Sequence, residues 1–263
     1  MSYSIGISPC PNDTFAFYAL FTDLMFDVSI QDLQTLNQRA QKKELDIAKI
    51  SMFQFSQLLD DYILLPVGCA LGHGIGPKII GKTHATSFEN KCVAFAGKDT
   101  TAHFLFDLFF TCKEKVFCPY FEITQKIQDG TVDYGVIIHE TRFTFDNLGL
   151  VECYDLGALW EQQFHLPLPL GGIVAKRNLV DLEKITKSLF ESLQYAKKHP
   201  AKTLDFVLEH SIEKDPKIVK KHIETYVTED TQQLTPTGIL AIQCLLEQTG
   251  HFDKNWLYSG AYV

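Results

Sequence analysis

Short apolar runs alternate with amphipathic ones through the first two-thirds of this 263-residue chain, and no other feature constrains its fold as much. Tyr3–Ile7, 25–30, 45–50 and 62–67 read as strands. Between them, 14–21, 33–43 and 53–59 read as helices, the first capped by Asn12-Asp13. Such repetition favours a mostly parallel sheet with helices on both faces. The pattern breaks over 68–76 and then resumes. A strand at 91–96, a loop at 97–101, helices at 102–112 and 120–128, an apolar strand at 132–138 and a helix at Leu156–Phe164 form a second unit. From Leu182 onward only helices are read, at Leu182–Lys198, 201–210, Pro216–Tyr226 and Pro236–Gln248, with 230–233 as a loop. The last helix has Thr235 as cap, Pro236 at its first position and Gly250 as stop. Extended crossings at 78–83 and 171–176 imply that the middle unit is inserted into the first. The expectation is a bilobal α/β protein. Residues 1–83 and 174–263 form one lobe with the C-terminal helices, residues 84–173 form the inserted lobe, and a substrate cleft lies between them.

Composition excludes several alternatives. At 46% hydrophobic and 21% charged residues the chain can bury a real core, so disorder and disulfide-dependent folds are set aside. The net charge is -8 and no Lys/Arg block stands out, which argues against a nucleic-acid partner. The start has no basic, apolar leader, and the longest stretch free of charged residues, 62–77, carries four glycines and two prolines. The seven cysteines form no C-x-x-C pair, so neither a zinc site nor a disulfide frame is signalled. These features predict a soluble cytoplasmic protein without membrane insertion.

In α/β units ligands collect beyond the carboxyl ends of strands, where helix N-termini present N–H groups. Three segments qualify. Ser8-Pro9-Cys10-Pro11-Asn12-Asp13-Thr14-Phe15 supplies Ser8, Asn12 and Asp13, and reads equally as a rigid turn plus cap. Within it, Cys10 reads as a small buried residue. Thr100-Thr101-Ala102 opens a helix and suits a carboxylate, or is a simple N-cap. His139 ends the buried strand 132–138, and histidine accepts protons near neutrality, although one histidine among nine is more often packed or solvated. Glu140 points the other way in an extended chain and is no obvious partner. Gly72-His73-Gly74-Ile75-Gly76 lacks the spacing of a phosphate loop and reads as a flexible interdomain bend. The aromatic residues of 104–110 read as core.

Together these motifs resemble the 1,4-dihydroxy-6-naphthoate synthase family of the futalosine route to menaquinone. The resemblance runs through the opening octet, Lys49-Ile50-Ser51, Ala70-Leu71-Gly72-His73-Gly74-Ile75-Gly76-Pro77 and Thr100-Thr101-Ala102. It continues in Gly135-Val136-Ile137-Ile138-His139-Glu140 with Arg142-Phe143-Thr144, and in Leu168-Pro169-Leu170-Gly171-Gly172. One aromatic position of the family is replaced by Leu159. The resemblance implies a two-lobed fold like type II periplasmic binding proteins, each lobe a mixed, mostly parallel sheet flanked by helices. It implies conversion of cyclic dehypoxanthine futalosine to 1,4-dihydroxy-6-naphthoate with loss of dihydroxyacetone, a carbon–carbon lyase using no metal or redox cofactor. By family pattern His139 is the proton acceptor, and Lys49, Ile50, Ser51, Thr101 and Ala102 bind substrate. Ser8, Asn12, Asp13, Thr100 and Gly171 are further cleft-lining candidates.

Three rivals stand beside this expectation. A non-catalytic solute-binding protein shares the fold, and the absent export signal together with His139 weighs against it. The sister enzyme chorismate dehydratase is the second, and the Pro9-Cys10-Pro11-Asn12-Asp13 opening weighs against that. An effector-binding regulatory domain is the third, and no basic face accompanies it.

Overall fold

The computed structural model describes residues 2–260. It falls into two compact units, one of the chain up to Leu71 together with everything from Pro169 onward, the other Gly72–Leu168. The first unit opens with β1 (Tyr3–Ile7), α1 (Pro11–Ala16), β2 (Phe26–Ile30), α2 (Leu33–Gln41), β3 (Ile47–Ser51), α3 (Met52–Ser56), β4 (Tyr62–Leu64) and β5 (Ala70–Gly72). The second carries β6 (Lys78–Gly81), β7 (Phe88–Phe95), α4 (Thr101–Phe109), β8 (Cys112–Phe117), α5 (Ile123–Gln128) and β9 (Tyr134–Ile137). A 3₁₀ turn at His139–Phe143, β10 (Val151–Asp155) and α6 (Leu156–Phe164) complete it. The chain returns through β11 (Leu168–Lys176) and ends in α7 (Leu182–Lys198), α8 (Pro200–His210), α9 (Pro216–Tyr226), α10 (Glu229–Gln232) and α11 (Pro236–Gln248).

Both sheets are mixed. In the first unit the order is β2-β1-β3-β11-β4, with β1 parallel to β2 and β3 and β11 antiparallel to its neighbours β3 and β4. In the second unit the order is β10-β6-β9-β7-β8. There β7 runs parallel to β8 and β9, whereas β6 is antiparallel to β9 and β10. The unit boundaries therefore fall earlier than the expected 84 and 173. Lys78–Gly81 is a paired strand of the second sheet, not a crossing. Leu168–Lys176 is the long central strand of the first sheet, buried along most of its length.

The helical tail is part of the first unit's core. Ile5, Ile7, Ile47 and Ile173 from the sheet pack with Phe15, Phe17 and Leu20, and with Leu189, Leu193, Val207 and Val219 of α7, α8 and α9. The sequence pattern does not reveal β5, β8, β10 or α10. β8 and β10 form the two edges of the second sheet, and their exposed, charged positions (Lys113, Glu114 and Lys115 in β8) erase the apolar alternation that reveals inner strands. Residues 110–112 accordingly leave the expected helix 102–112, and 230–233, expected as a loop, lies largely in α10.

Candidate functional site

The helix expected to start after Asn12-Asp13 starts at Pro11 in the structure. Cys10, with extended backbone, is the cap residue of α1, and Pro11 occupies the first turn, where its missing N–H costs nothing. Asn12 and Asp13 thus lie inside the helix and do not cap it. Their side chains join a buried network at the carboxyl edge of β1 and β3.

Lys49 Nζ is 3.1 Å from Asp13 Oδ1 and donates to the Gly68 carbonyl at 2.8 Å, both side chains being almost fully buried. Ser8 Oγ donates to Asp13 Oδ2 at 2.6 Å and accepts from the Cys10 amide at 3.3 Å. Asn12 Nδ2 donates to Asp13 Oδ1 at 2.8 Å, and Asn12 Oδ1 lies 3.0 Å from His222 Nε2. The carboxylate can only accept, so Asn12 must turn its NH₂ toward Asp13 and its oxygen toward His222. His222 Nε2 therefore carries the proton and donates it to Asn12. This histidine, on α9 and 2% exposed, had no signal in the sequence beyond its residue type.

Ser51 ends β3 under a matching clamp. Its amide donates to Asn37 Oδ1 at 3.0 Å, and Asn37 Nδ2 donates to its hydroxyl oxygen at 2.9 Å. Gly171 of β11 pairs opposite Ser51, and a Cβ there would meet the Ile50 carbonyl oxygen at 2.7 Å. Only glycine permits that approach. The fold of this unit thus brings together Ser8, Asn12, Asp13, Lys49, Ile50, Ser51 and Gly171. Burial pushes the nearby Cys69 thiol up to about 12, so this cysteine stays protonated.

In the second unit β7 and β9 are adjacent and parallel, with Phe95 opposite Val136. Their carboxyl ends deliver Thr100–Ala102 and His139 to one sheet edge. Thr100 caps α4, its hydroxyl oxygen accepting from the His103 amide at 3.2 Å, and Thr100, Thr101 and Ala102 are all buried. His139 is half-buried and packs edge-on against Tyr120 with ring centroids 4.7 Å apart. Its φ is +59°, and only two other non-glycine residues among those described, Lys43 and His165, have positive φ. Those two close helices, where left-handed backbone is common. His139 instead turns the chain from a strand into a 3₁₀ turn, a strained conformation of the kind that clusters at functional sites. Because 139–143 is a turn, Glu140 is not in the extended conformation expected for it. It is buried, as is Arg142.

Arg142 locks this turn in place. Its Nη1 donates to the Gly76 carbonyl at 2.7 Å and its Nη2 to Asp155 Oδ2 at 3.0 Å. Burial raises the Asp155 carboxyl above its ordinary range, with Arg142 and the Gly157 and Ala158 amides opposing that rise. The contact at Gly76 ties the 72–76 bend into the second unit, in place of the flexible interdomain bend expected from its glycines. His73 there is exposed.

Among the described residues no three or more His, Cys, Asp or Glu side chains gather where they could hold a metal ion. No helix among them is long and apolar enough to cross a membrane. A family model described as menaquinone biosynthesis matches residues 3–251. The chain belongs to that family. Two relatives named 1,4-dihydroxy-6-naphthoate synthase agree with the assignment. The one from Thermus thermophilus is 36% identical, with 93% of this chain and 92% of that protein covered. The one from Streptomyces coelicolor is 38% identical, with 92% and 90% covered. Among solved structures, a protein from Archaeoglobus fulgidus superposes with a TM-score of 0.89 at 29% identity, covering 95% of this chain and 96% of its own. An alkanesulfonate-binding protein from Xanthomonas axonopodis reaches a TM-score of 0.65 at 13% identity, covering 97% and 96%. This menaquinone-biosynthesis family member therefore has the fold of periplasmic binding proteins.

Proposed function

We propose that this protein converts cyclic dehypoxanthine futalosine to 1,4-dihydroxy-6-naphthoate and dihydroxyacetone, as a carbon–carbon lyase with His139 as general base. The observation that carries the reading is the placement of His139 at the end of β9, on the sheet edge that also presents Thr100–Ala102, in a chain of this family. A neutral imidazole there takes a proton from a sugar hydroxyl or acidified carbon of the bound spirocycle. Retro-aldol-type cleavage follows, favoured by formation of the aromatic naphthalene, and the imidazolium returns the proton to the departing fragment.

Lys49, Ile50, Ser51, Thr101 and Ala102 bind the substrate. The first amides of α4 suit its carboxylate, since a helix N-terminus favours an anion. Ser8, Asn12, Asp13, Thr100 and Gly171 shape the surroundings. The buried Asp13–Lys49 network fixes the β1 and β3 ends on which Ser51 and its neighbours stand. His222 acts on this network through Asn12 and is a positioning residue.

His139→Ala is expected to lower turnover by ~10²–10⁴-fold, the usual loss for a general base, while keeping most of the substrate affinity. Steady-state kinetics with an independent binding titration separates the two quantities. Retained turnover in the variant removes the base assignment. Tight binding of cyclic dehypoxanthine futalosine by wild-type protein, without product, favours a solute-binding role instead.

A further inference from the structure

The 3₁₀ turn that carries His139 holds a second charged group with no part in the reaction as written. Glu140 is 6% exposed, and its Oε2 is buried without a hydrogen-bond partner among the described residues. A carboxylate oxygen in that state weakens the free protein, because desolvation is not compensated by any donor. Two cations of the same unit, one two residues on and one on the strand paired with β9, are engaged elsewhere. Arg142 bonds the Gly76 carbonyl and Asp155, and Lys78 bonds Glu152. The fold thus builds a buried acceptor next to the candidate base and leaves one of its oxygens unsatisfied.

We propose that Glu140 is a substrate-binding residue whose carboxylate accepts hydrogen bonds from the aliphatic hydroxyls of the sugar-derived ring. The proposal rests on the reaction assigned above. An ionised carboxylate can only accept, so its complement is a hydroxyl or N–H donor, and it repels the carboxylate borne by the aromatic end of the substrate. Glu140 therefore fixes the direction in which the substrate lies in this unit. Its hydroxyl-bearing ring faces the 139–140 turn, beside the imidazole that takes the proton, and the carboxylate faces away from it. A ligand hydroxyl bonded to a buried carboxylate is also a strong contact, since charge-assisted hydrogen bonds exceed neutral ones.

Glu140→Gln tests this by three readings on purified protein: melting temperature without ligand, kcat and KM for cyclic dehypoxanthine futalosine, and the inhibition constant of 1,4-dihydroxy-6-naphthoate. The product keeps the aromatic carboxylate but lacks the aliphatic hydroxyls. The variant is expected to melt no lower than wild type, since an uncompensated buried charge is gone. Its kcat/KM for the substrate falls by roughly 10–100-fold, chiefly through KM, as for the loss of a hydrogen bond to a charged group. Product inhibition changes by no more than about twofold, well under the effect of one hydrogen bond. Glu140→Met, which leaves no polar group, repeats the pattern with a higher melting temperature. A lower melting temperature with substrate and product affinities weakened together marks a structural residue and overturns the proposal, as does an unchanged KM. Failure of wild-type protein to turn over the substrate sinks the underlying reaction itself, a result distinct from losses confined to the Glu140 variants.

Discussion

The carboxyl edges of the two sheets are built on opposite principles. In the first unit, Ser8, Asn12, Asp13, Lys49 and His222 are joined in a network reaching from the end of β1 to α9 in the helical tail. In the second unit, the turn after β9 holds a histidine in left-handed backbone and a buried carboxylate oxygen with no donor among the described residues. The first edge is a cross-linked scaffold. The second carries unspent strain and an unspent acceptor, both of which a bound substrate can use. Chemistry is expected at the turn after β9, and rigidity where hydrogen bonds and an ion pair tie β1, β3 and α9 together.

The largest expected effects break this comparison at its two centres. Loss of the imidazole in His139→Ala lowers turnover by ~10²–10⁴-fold with the fold intact, as measured by kinetics beside a thermal melt. Lys49→Met leaves Asp13 buried without its cation and is expected to cost about 3–5 kcal/mol of stability in urea denaturation. If that variant is as stable as wild type, the first edge is not the scaffold described.

A smaller effect comes from the far end of the same network. His222→Leu removes the donor to Asn12 and is expected to cost about 1–3 kcal/mol, whereas His222→Gln, able to donate from its amide, recovers part of the loss. The strain in the second unit has its own measure. His139→Gly is expected to be about 1 kcal/mol more stable than His139→Ala, because glycine meets φ = +59° without steric cost.

The smallest effect is a pH slope. Burial holds the Asp155 carboxyl above its ordinary value, so between that value and the folded one the folded protein binds more protons than the unfolded chain. Stability from this group therefore declines as pH rises through the window, and grows as pH falls. Wild type is expected to gain on Asp155→Asn as pH is lowered across it, read as the difference in denaturation midpoints.

Most inner strands and the long helices are legible because each writes its burial into sequence, whereas the inner strands β6 and β11 read as crossings between units. Tyr3–Ile7 alternates as a strand should, 132–138 is an apolar run, and Thr235-Pro236 marks the start of α11 as the structure has it. β8 and β10 were not legible, because an edge strand exposes what would otherwise alternate. The start of α1 was misplaced because Asn12-Asp13 has the composition of a cap, while Pro11 sets the helix one turn sooner. The motif loop and the histidine strand end could be read as candidate sites from local residue order. His222 could not, since it reaches Asn12 across 210 residues of chain and sits in a helix whose own pattern is merely amphipathic. Glu140 was set aside by assuming an extended chain, and a single residue of positive φ before it undoes that assumption.

The most direct test is to incubate purified protein with cyclic dehypoxanthine futalosine, without added metal or cofactor, and follow products by absorbance and mass. The account predicts 1,4-dihydroxy-6-naphthoate and dihydroxyacetone in equal amounts from wild type, with formation all but abolished in His139→Ala. Folded, monodisperse wild-type protein that binds the compound and releases no naphthoate would contradict it.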